Sequence, residues 1–125
     1  MVNDLIDTNT AIDYLNDKLP ENISELLDKI SISLSVIVRM ELLSWKKASV
    51  QQVQVLQQFI NSCKVYNLDE PIILRAIELR KQYPIKLPDA IIASTGLTYK
   101  LTLITRNLAD FKRIEGLNII DSYSS

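Results

Sequence analysis

Short apolar runs that alternate with amphipathic segments are the feature of this sequence that most limits its fold. Strand-like runs fall at residues 4–7, 32–37, 63–67, 101–105 and 117–121. Segments with helical spacing of apolar residues fall at 8–16, 21–30, 38–47, 49–61 and 69–83, and another helix opens at Pro88. Because a strand followed by a helix leads to a parallel neighbour through a right-handed crossover, this alternation predicts an α/β fold. Its sheet is expected to be mostly parallel, with helices on both faces.

Length and composition favour one globular unit. With 125 residues, of which 47% are hydrophobic and 23% charged, the chain is expected to form a single domain over residues 1–125. Residues 122–125 are expected to be a frayed tail. The most apolar stretch, ISLSVIVRMELLSW, carries two charged residues and is too short to span a bilayer, and no signal peptide is recognisable. We therefore expect no membrane association.

The residue types that are rare or missing exclude several kinds of chemistry. Cys63 is the only cysteine, which rules out an internal disulfide and fits a reducing cytoplasm. The absence of histidine excludes histidine-based triads and histidine-ligated zinc. A net charge of −1 is no signature of nucleic-acid binding, although a bound cation can reverse the sign locally. Any catalysis must therefore come from carboxylates, hydroxyls, amines or a metal ion.

Four acidic residues are predicted to meet at one edge of the sheet. Asp7 ends the first strand, and Glu41 is expected in the first turn of the helix after strand 32–37. Asp89 lies at the start of a later helix, and Asp110 follows the fourth strand by a few residues. Because strand C-termini and helix N-termini lie at the same edge of such a sheet, all four are expected there, where open α/β sheets bind ligands.

Each acid also has a purely structural explanation. Asp7 can cap a helix, which is worth about 1 kcal/mol, and Asp110 can cap a turn. Asp89 suits the positive end of a helix dipole. Glu41 fits a structural role least well, because Ile37 and Trp45 lie four residues on either side and predict an apolar stripe. A carboxylate on such a stripe costs several kcal/mol unless it is paired or coordinated.

Together the four acids point to a metal site. Two carboxylates about 5 Å apart repel each other by roughly 3 kcal/mol at an effective dielectric constant near 20, and four would repel more. Proton sharing would relieve this repulsion, but a divalent cation is the simpler remedy. Oxygen-only ligands select Mg²⁺ or Mn²⁺, and such a site suits metal-assisted hydrolysis of a phosphodiester.

Four segments give the sequence a family resemblance. They are LIDTNTAIDYL, SVIVRMELL, LPDAIIASTGL and LITRNLADF, in this order. In order and spacing they resemble the PIN-domain ribonucleases, and among these the VapC toxins of bacterial type II toxin–antitoxin pairs, from Asp4 to about Asp121. The resemblance implies a three-layer α/β/α sandwich around a small parallel sheet. It also implies an endoribonuclease that uses Mg²⁺ or Mn²⁺.

The resemblance assigns roles to individual residues. The family's acidic quartet corresponds to Asp7, Glu41, Asp89 and Asp110, which would bind the metal and carry catalysis. Thr105 and Asn107 match polar positions that support the metal site, and Asn9 matches an asparagine expected to orient Asp7. Arg106 could face the RNA backbone, or it could be a solvated loop charge.

The resemblance also implies partners, and the sequence departs from the usual family pattern in its first strand and at Thr10, where a change at the start of a surface helix is tolerable. Proteins of this kind commonly form homodimers and are inhibited by a small antitoxin that covers the acidic groove. Asn3 and Asp4 stand where the family usually has apolar residues, so the first strand is expected to be short or to start late.

Two other functions remain open at this stage. A receiver-like phospho-acceptor domain would share the length, the parallel sheet, the acidic edge and a threonine like Thr105. Such domains also need an acidic pair after the first strand and a lysine after the last, whereas Thr8 follows Asp7 and the last strand ends at Asp121. The second alternative is a catalytically inert binding module on the PIN-like fold, against which the complete quartet argues.

Overall fold

The computed structural model describes residues 4–123 as a parallel sheet enclosed by helices. Its strands are β1 Asp4–Ile6, β2 Ile32–Ser35, β3 Lys64–Tyr66, β4 Thr102–Thr105 and β5 Ile119–Asp121. Its helices are α1 Thr8–Leu15, α2 Glu21–Lys29, α3 Val36–Leu43, α4 Val50–Ser62, α5 Glu70–Gln82, α6 Leu87–Tyr99 and α7 Leu108–Phe111. The predicted α/β fold, a three-layer sandwich around a parallel sheet, is confirmed. The extent of one domain over residues 1–125 stays a prediction.

The strand order places β1 at the centre of the sheet. The order is β3-β2-β1-β4-β5, and every neighbouring pair is parallel. β1 is as short as the sequence suggested; Asn3 lies outside the described residues. The chain builds outward from β1 to β3 on one side and from β4 to β5 on the other. The strand order therefore reverses beside β1. Open α/β sheets bind ligands in the crevice that forms beyond the carboxyl ends of the strands at such a reversal.

Helix α6 is packed into the interior along most of its length. Its residues from Ala90 to Gly96 are all buried. Small side chains allow this packing: a Cβ added to Gly96 would lie 2.9 Å from the Leu117 side chain. A proline in the first turn fits the helix start. This buried helix holds Asp89, in its first turn, at a fixed place beside the sheet.

Helix α3 differs from its predicted position. It begins at Val36 rather than residue 38, because the Ser35 hydroxyl caps it by accepting the Ile37 N–H at 3.2 Å. It ends at Leu43, with Ser44 as its C-cap. Glu41 therefore lies in the second turn of α3, and the expectation of the first turn was wrong. The apolar stripe is also absent: Glu41 is exposed, and Trp45 lies beyond the helix with 51% of its surface exposed.

The predicted frayed tail is in part well ordered. Ser122 is buried, and its N–H donates to the Thr105 carbonyl at 2.9 Å, which continues the pairing of β4 with β5. Ser124 and Ser125 lie outside the described residues. Across residues 4–123, no helix has both the length and the apolar character needed to cross a membrane.

Asp4, in the central strand, is expected to weaken the fold at neutral pH. It is 3% exposed, and its Oδ1 has no partner among the described residues. Burial raises its pKa above the ordinary 3.8. Folding therefore favours the protonated form, and stability is lost as the pH rises through the raised folded pKa.

We expect Asp4→Asn to be more stable than the natural protein at pH 7, and to lose this advantage towards pH 3.8. Urea unfolding of both proteins across this range measures the difference, and a pH-independent difference would contradict the role of the Asp4 charge.

Candidate active site

Asp7 is held between helix α1 and strand β4. Its Oδ1 accepts the Thr10 N–H at 3.0 Å, so it does cap α1 as the structural explanation supposed. Its Oδ2 accepts the Thr105 hydroxyl at 2.5 Å. Asp7 and Thr105 are both buried. Because each carboxylate oxygen has a second lone pair, Asp7 can cap α1 and still bind a metal ion.

The loop after β4 continues this network to the fourth acid. The Thr105 hydroxyl accepts the Asn107 N–H at 3.0 Å, and the Asn107 side-chain amide donates to Asp110 Oδ2 at 2.9 Å. The other oxygen of Asp110 lies 3.9 Å from Arg113 in a half-exposed ion pair, which contributes little. One chain of hydrogen bonds therefore links Asp7 to Asp110 across about a hundred residues of sequence.

Glu41 reaches the same region by a different contact. The Thr8 hydroxyl donates to Glu41 Oε1 at 2.6 Å and joins α1 to α3. The sequence argument for Glu41 assumed that its carboxylate lies on an apolar stripe of the helix. This was wrong, because the side chain is exposed. Sequence reasoning also missed Thr8, although its place directly after Asp7 in LIDTN is a usable signal.

Asp89 is electrostatically coupled to the other three acids. Its pKa is raised, first by burial and then by the negative charges of Asp110, Asp7 and Glu41, in that order, while Lys86 opposes the shift. Such coupling falls with distance, so three carboxylates from three other segments lie near Asp89. The structure therefore brings the whole predicted quartet to one edge of the sheet.

The quartet is not a ready-made cage for an ion. Within residues 4–123, no three acidic or cysteine side chains lie close enough together to hold a metal by themselves. Mg²⁺ keeps several waters and commonly takes only one or two carboxylates directly, so a closed protein cage is not required. The oxygen-only donors fit Mg²⁺ or Mn²⁺ in this partly hydrated form.

Two of the other candidate residues have surroundings that the sequence did not predict. Asn9 is exposed in the first turn of α1, and no hydrogen bond to Asp7 is found for it within residues 4–123. Asp7 is oriented by Thr105 instead. Arg106 is not a free loop charge, because its Nη1 lies 3.5 Å from Asp13 Oδ2 and 3.3 Å from the Tyr123 hydroxyl. Neither Asp13 nor Tyr123 was singled out from the sequence, where nothing connects them to Arg106.

Comparisons with known proteins agree with this arrangement. The family model described as "PIN domain" matches residues 5–117. The chain is 31% identical over 131 aligned residues to the tRNA(fMet)-specific endonuclease VapC of Salmonella typhimurium, and the match covers 97% of this chain and 98% of that protein.

Solved structures give the same result. A toxin–antitoxin complex from Klebsiella pneumoniae matches with a TM-score of 0.79 and 31% identity, covering 98% of this chain and 99% of the other. DNA-bound VapBC from Salmonella typhimurium matches with a TM-score of 0.80 and 30% identity, covering 97% and 98%. VapBC-1 from nontypeable Haemophilus influenzae matches with a TM-score of 0.81 and 26% identity, and the match covers 97% of this chain and 98% of the other. The chain therefore belongs to the PIN-domain family and, within it, to the VapC-type endonucleases.

Proposed function

We propose that this protein is a divalent-metal-dependent endoribonuclease and the toxin of a type II toxin–antitoxin pair. The observation that supports it most is the hydrogen-bonded network that joins Asp7 to Asp110 through Thr105 and Asn107, with Asp89 electrostatically coupled to both acids and to Glu41. A relative with the same family features is an endonuclease named for its action on tRNA(fMet). Membership in the PIN family counts against the receiver-like alternative, and the cleavage assay below tests the inert-module alternative.

We assign the metal to the acidic quartet, with Mg²⁺ or Mn²⁺ as the ion. When bound, such an ion polarises the scissile phosphate and lowers the pKa of a coordinated water. Asp7 and Asp89 are the best-held ligands, since one is locked by Thr105 and the other is fixed on the buried helix α6. Glu41 is the most exposed of the four, and its Oε2 is our candidate to accept a proton from the attacking water.

Cleavage is expected to require added metal. Wild-type protein should cut RNA with Mg²⁺ or Mn²⁺ and stop when EDTA removes the ion. Binding should also raise the melting temperature, because an ion that binds only the folded state stabilises it. Calorimetric titration together with gel analysis of cleaved RNA measures both effects. Undiminished cleavage in EDTA would contradict metal dependence, and no cleavage under any metal condition would favour the inert module.

The proposed antitoxin has a suitable surface beside the acids. A cavity of about 370 Å³ between α1, α3 and α4 has Glu41 on its wall. Its remaining lining is mostly apolar: Ile12, Leu15, Asn16, Leu42, Trp45 and Leu56. Ile12 and Trp45 are exposed in the isolated chain. An amphipathic segment of a partner fits this surface, and an arginine on it could reach the carboxylates.

We expect Trp45→Ala to weaken antitoxin binding by about 2 kcal/mol, as buried aromatic anchors commonly do. Because Trp45 is exposed in the free chain, the fold should keep its melting temperature. Titration of the protein with its antitoxin measures the change, and Val50→Ala is a matched control on an exposed position outside the cavity lining. Equal affinities of the two variants would contradict this docking surface.

A homodimer is also proposed. Exposed apolar residues on α5 and α6, among them Leu74, Ile77 and Leu87, offer a surface that a second copy could cover. Sedimentation equilibrium of the purified protein measures this state, and a monomer at micromolar concentration would contradict it.

A further inference from the structure

Arg106 belongs to a cluster outside the acidic quartet. Asp13 is buried on α1, and its Oδ2 accepts the Tyr123 hydroxyl at 2.5 Å and faces Arg106 Nη1 at 3.5 Å. The guanidinium also lies over the Tyr123 ring, 5.8 Å from its centroid. One carboxylate and one aromatic ring therefore fix the direction of a single arginine side chain.

The cluster is attached to the framework of the site. Tyr123 is fixed by its N–H, which donates to Asp121 Oδ1 at 2.9 Å, and by its neighbour Ser122, which pairs with the Thr105 carbonyl. Arg106 directly follows Thr105, whose hydroxyl holds Asp7. The three cluster residues come from α1, the loop after β4 and the end of the chain, and they meet only in the fold.

The position of the cluster relative to the acids is defined by α1. Asp13 lies six residues after Asp7, which is about 9 Å along a helix axis. Arg106 stands between Thr105 and Asn107, the residues that bond to Asp7 and Asp110. The guanidinium, held at Asp13, therefore lies beside α1, nearly two helical turns from Asp7 along that helix.

We propose that Asp13 and Tyr123 are positioning residues that hold Arg106 ready to bind a backbone phosphate of RNA next to the phosphate that is cleaved. The inference rests on the proposed nuclease function. Within residues 4–123, only Nη1 of Arg106 is engaged, and the side chain is 48% exposed. Its Nε and Nη2 donors remain for a phosphate, which arginine binds in a bidentate way. A fixed cation beside four acids offsets their repulsion of RNA.

A matched pair of charge-neutralising variants separates positioning from simple electrostatics. Removing any acid near the site should tighten RNA binding if charge alone matters. We expect the opposite for Asp13→Asn: a KM about fivefold higher, the size of one ordinary hydrogen bond, with kcat within about twofold. Asp17→Asn makes the same charge change at an exposed position just after α1 and should leave KM unchanged or slightly lower.

Variants of Tyr123 and Arg106 test the other two residues of the cluster. Tyr123→Phe keeps the ring but loses the hydroxyl, and it should raise KM about twofold to threefold. Arg106→Gln should reduce the slope of log affinity against log salt by about 0.7, the value for one phosphate contact on a single strand. Arg106→Lys should restore the slope but only part of the affinity. Affinities are measured on uncleaved RNA in an Asp89→Asn background, and thermal melts confirm that each variant is folded.

The outcomes are distinguishable. This inference is overturned, and the proposed function stands, if the wild-type protein cleaves RNA but Asp13→Asn and Tyr123→Phe have the same KM as Asp17→Asn. An unchanged salt slope in Arg106→Gln overturns it as well. Wild-type protein that neither binds nor cleaves RNA overturns the proposed function and this inference with it. A rise in KM at both positions, with the slope change at Arg106, supports it.

Discussion

Replacing Asp89 by asparagine is expected to lower RNA cleavage by about 10³-fold while making the fold more stable. The carboxylate is a proposed metal ligand, and metal ions contribute several kcal/mol to such transition states, about tenfold in rate for each 1.4 kcal/mol. Stability should rise because burial and the charges of Asp110, Asp7 and Glu41 already disfavour the ionised form of Asp89 in the apoprotein. An activity loss coupled to a stability gain is typical of a functional acid and not of a structural one.

Single-turnover cleavage and urea unfolding without metal measure the two effects. Asp17→Asn serves as the control, since it removes a charge from an exposed side chain that makes no hydrogen bond or ion pair within residues 4–123. If Asp89→Asn instead lost stability and kept its activity, Asp89 would be an ordinary first-turn acid of α6. If both were unchanged, the convergence of the four charges would have no functional meaning.

Removing the hydroxyl of Thr105 is expected to have the second largest effect. Thr105→Val keeps the shape of the side chain but deletes the donor to Asp7 Oδ2 and the acceptor for the Asn107 N–H. Residues that orient a metal ligand typically account for 10–100-fold in metal affinity or activity, and we expect a loss in that range. The buried Asp7 carboxylate and the half-buried Asn107 N–H each lose a partner, so the free energy of unfolding should fall by about 1–3 kcal/mol.

Metal titration and cleavage rates of Thr105→Val are compared with those of Thr102→Val. Thr102 begins the same strand at the opposite edge of the sheet, so the same chemical change there should leave activity intact. Equal metal affinities for the two variants would show that Asp7 needs no support from β4. A loss of stability without any loss of metal affinity would make Thr105 a purely structural residue.

Most of the fold could be predicted from the sequence because its elements are locally encoded. The run LTLIT predicted a compact strand, and β4 matches this run except that it starts one residue later. Pro88 marked the beginning of α6 to within one residue. The main miss was α3, where β-branched residues extended the predicted strand to residue 37. The cap formed by Ser35 begins the helix two residues earlier than predicted, and a local contact of this kind outweighs propensity.

The convergence of the four acids could be predicted from topology, but their surroundings could not. Parallel strands joined by helices bring Asp7 and Asp89 to one edge whatever the details of packing. The exposure of Glu41 depended on how α3 turns against α1, and helical periodicity alone assigned it to the wrong environment. The network through Thr105 depended on the exact end of β4.

The sequence alone determined the order of strands and helices, the oxygen-only chemistry and the family, because these follow from residue types and their spacing along the chain. Only the tertiary structure decided that Thr105 holds Asp7, that Thr8 holds Glu41, and that Asp13 and Tyr123 hold Arg106. These pairs lie 17 to 110 residues apart in the sequence. Contacts between distant segments are set by the packing of the whole chain, and no local pattern records them.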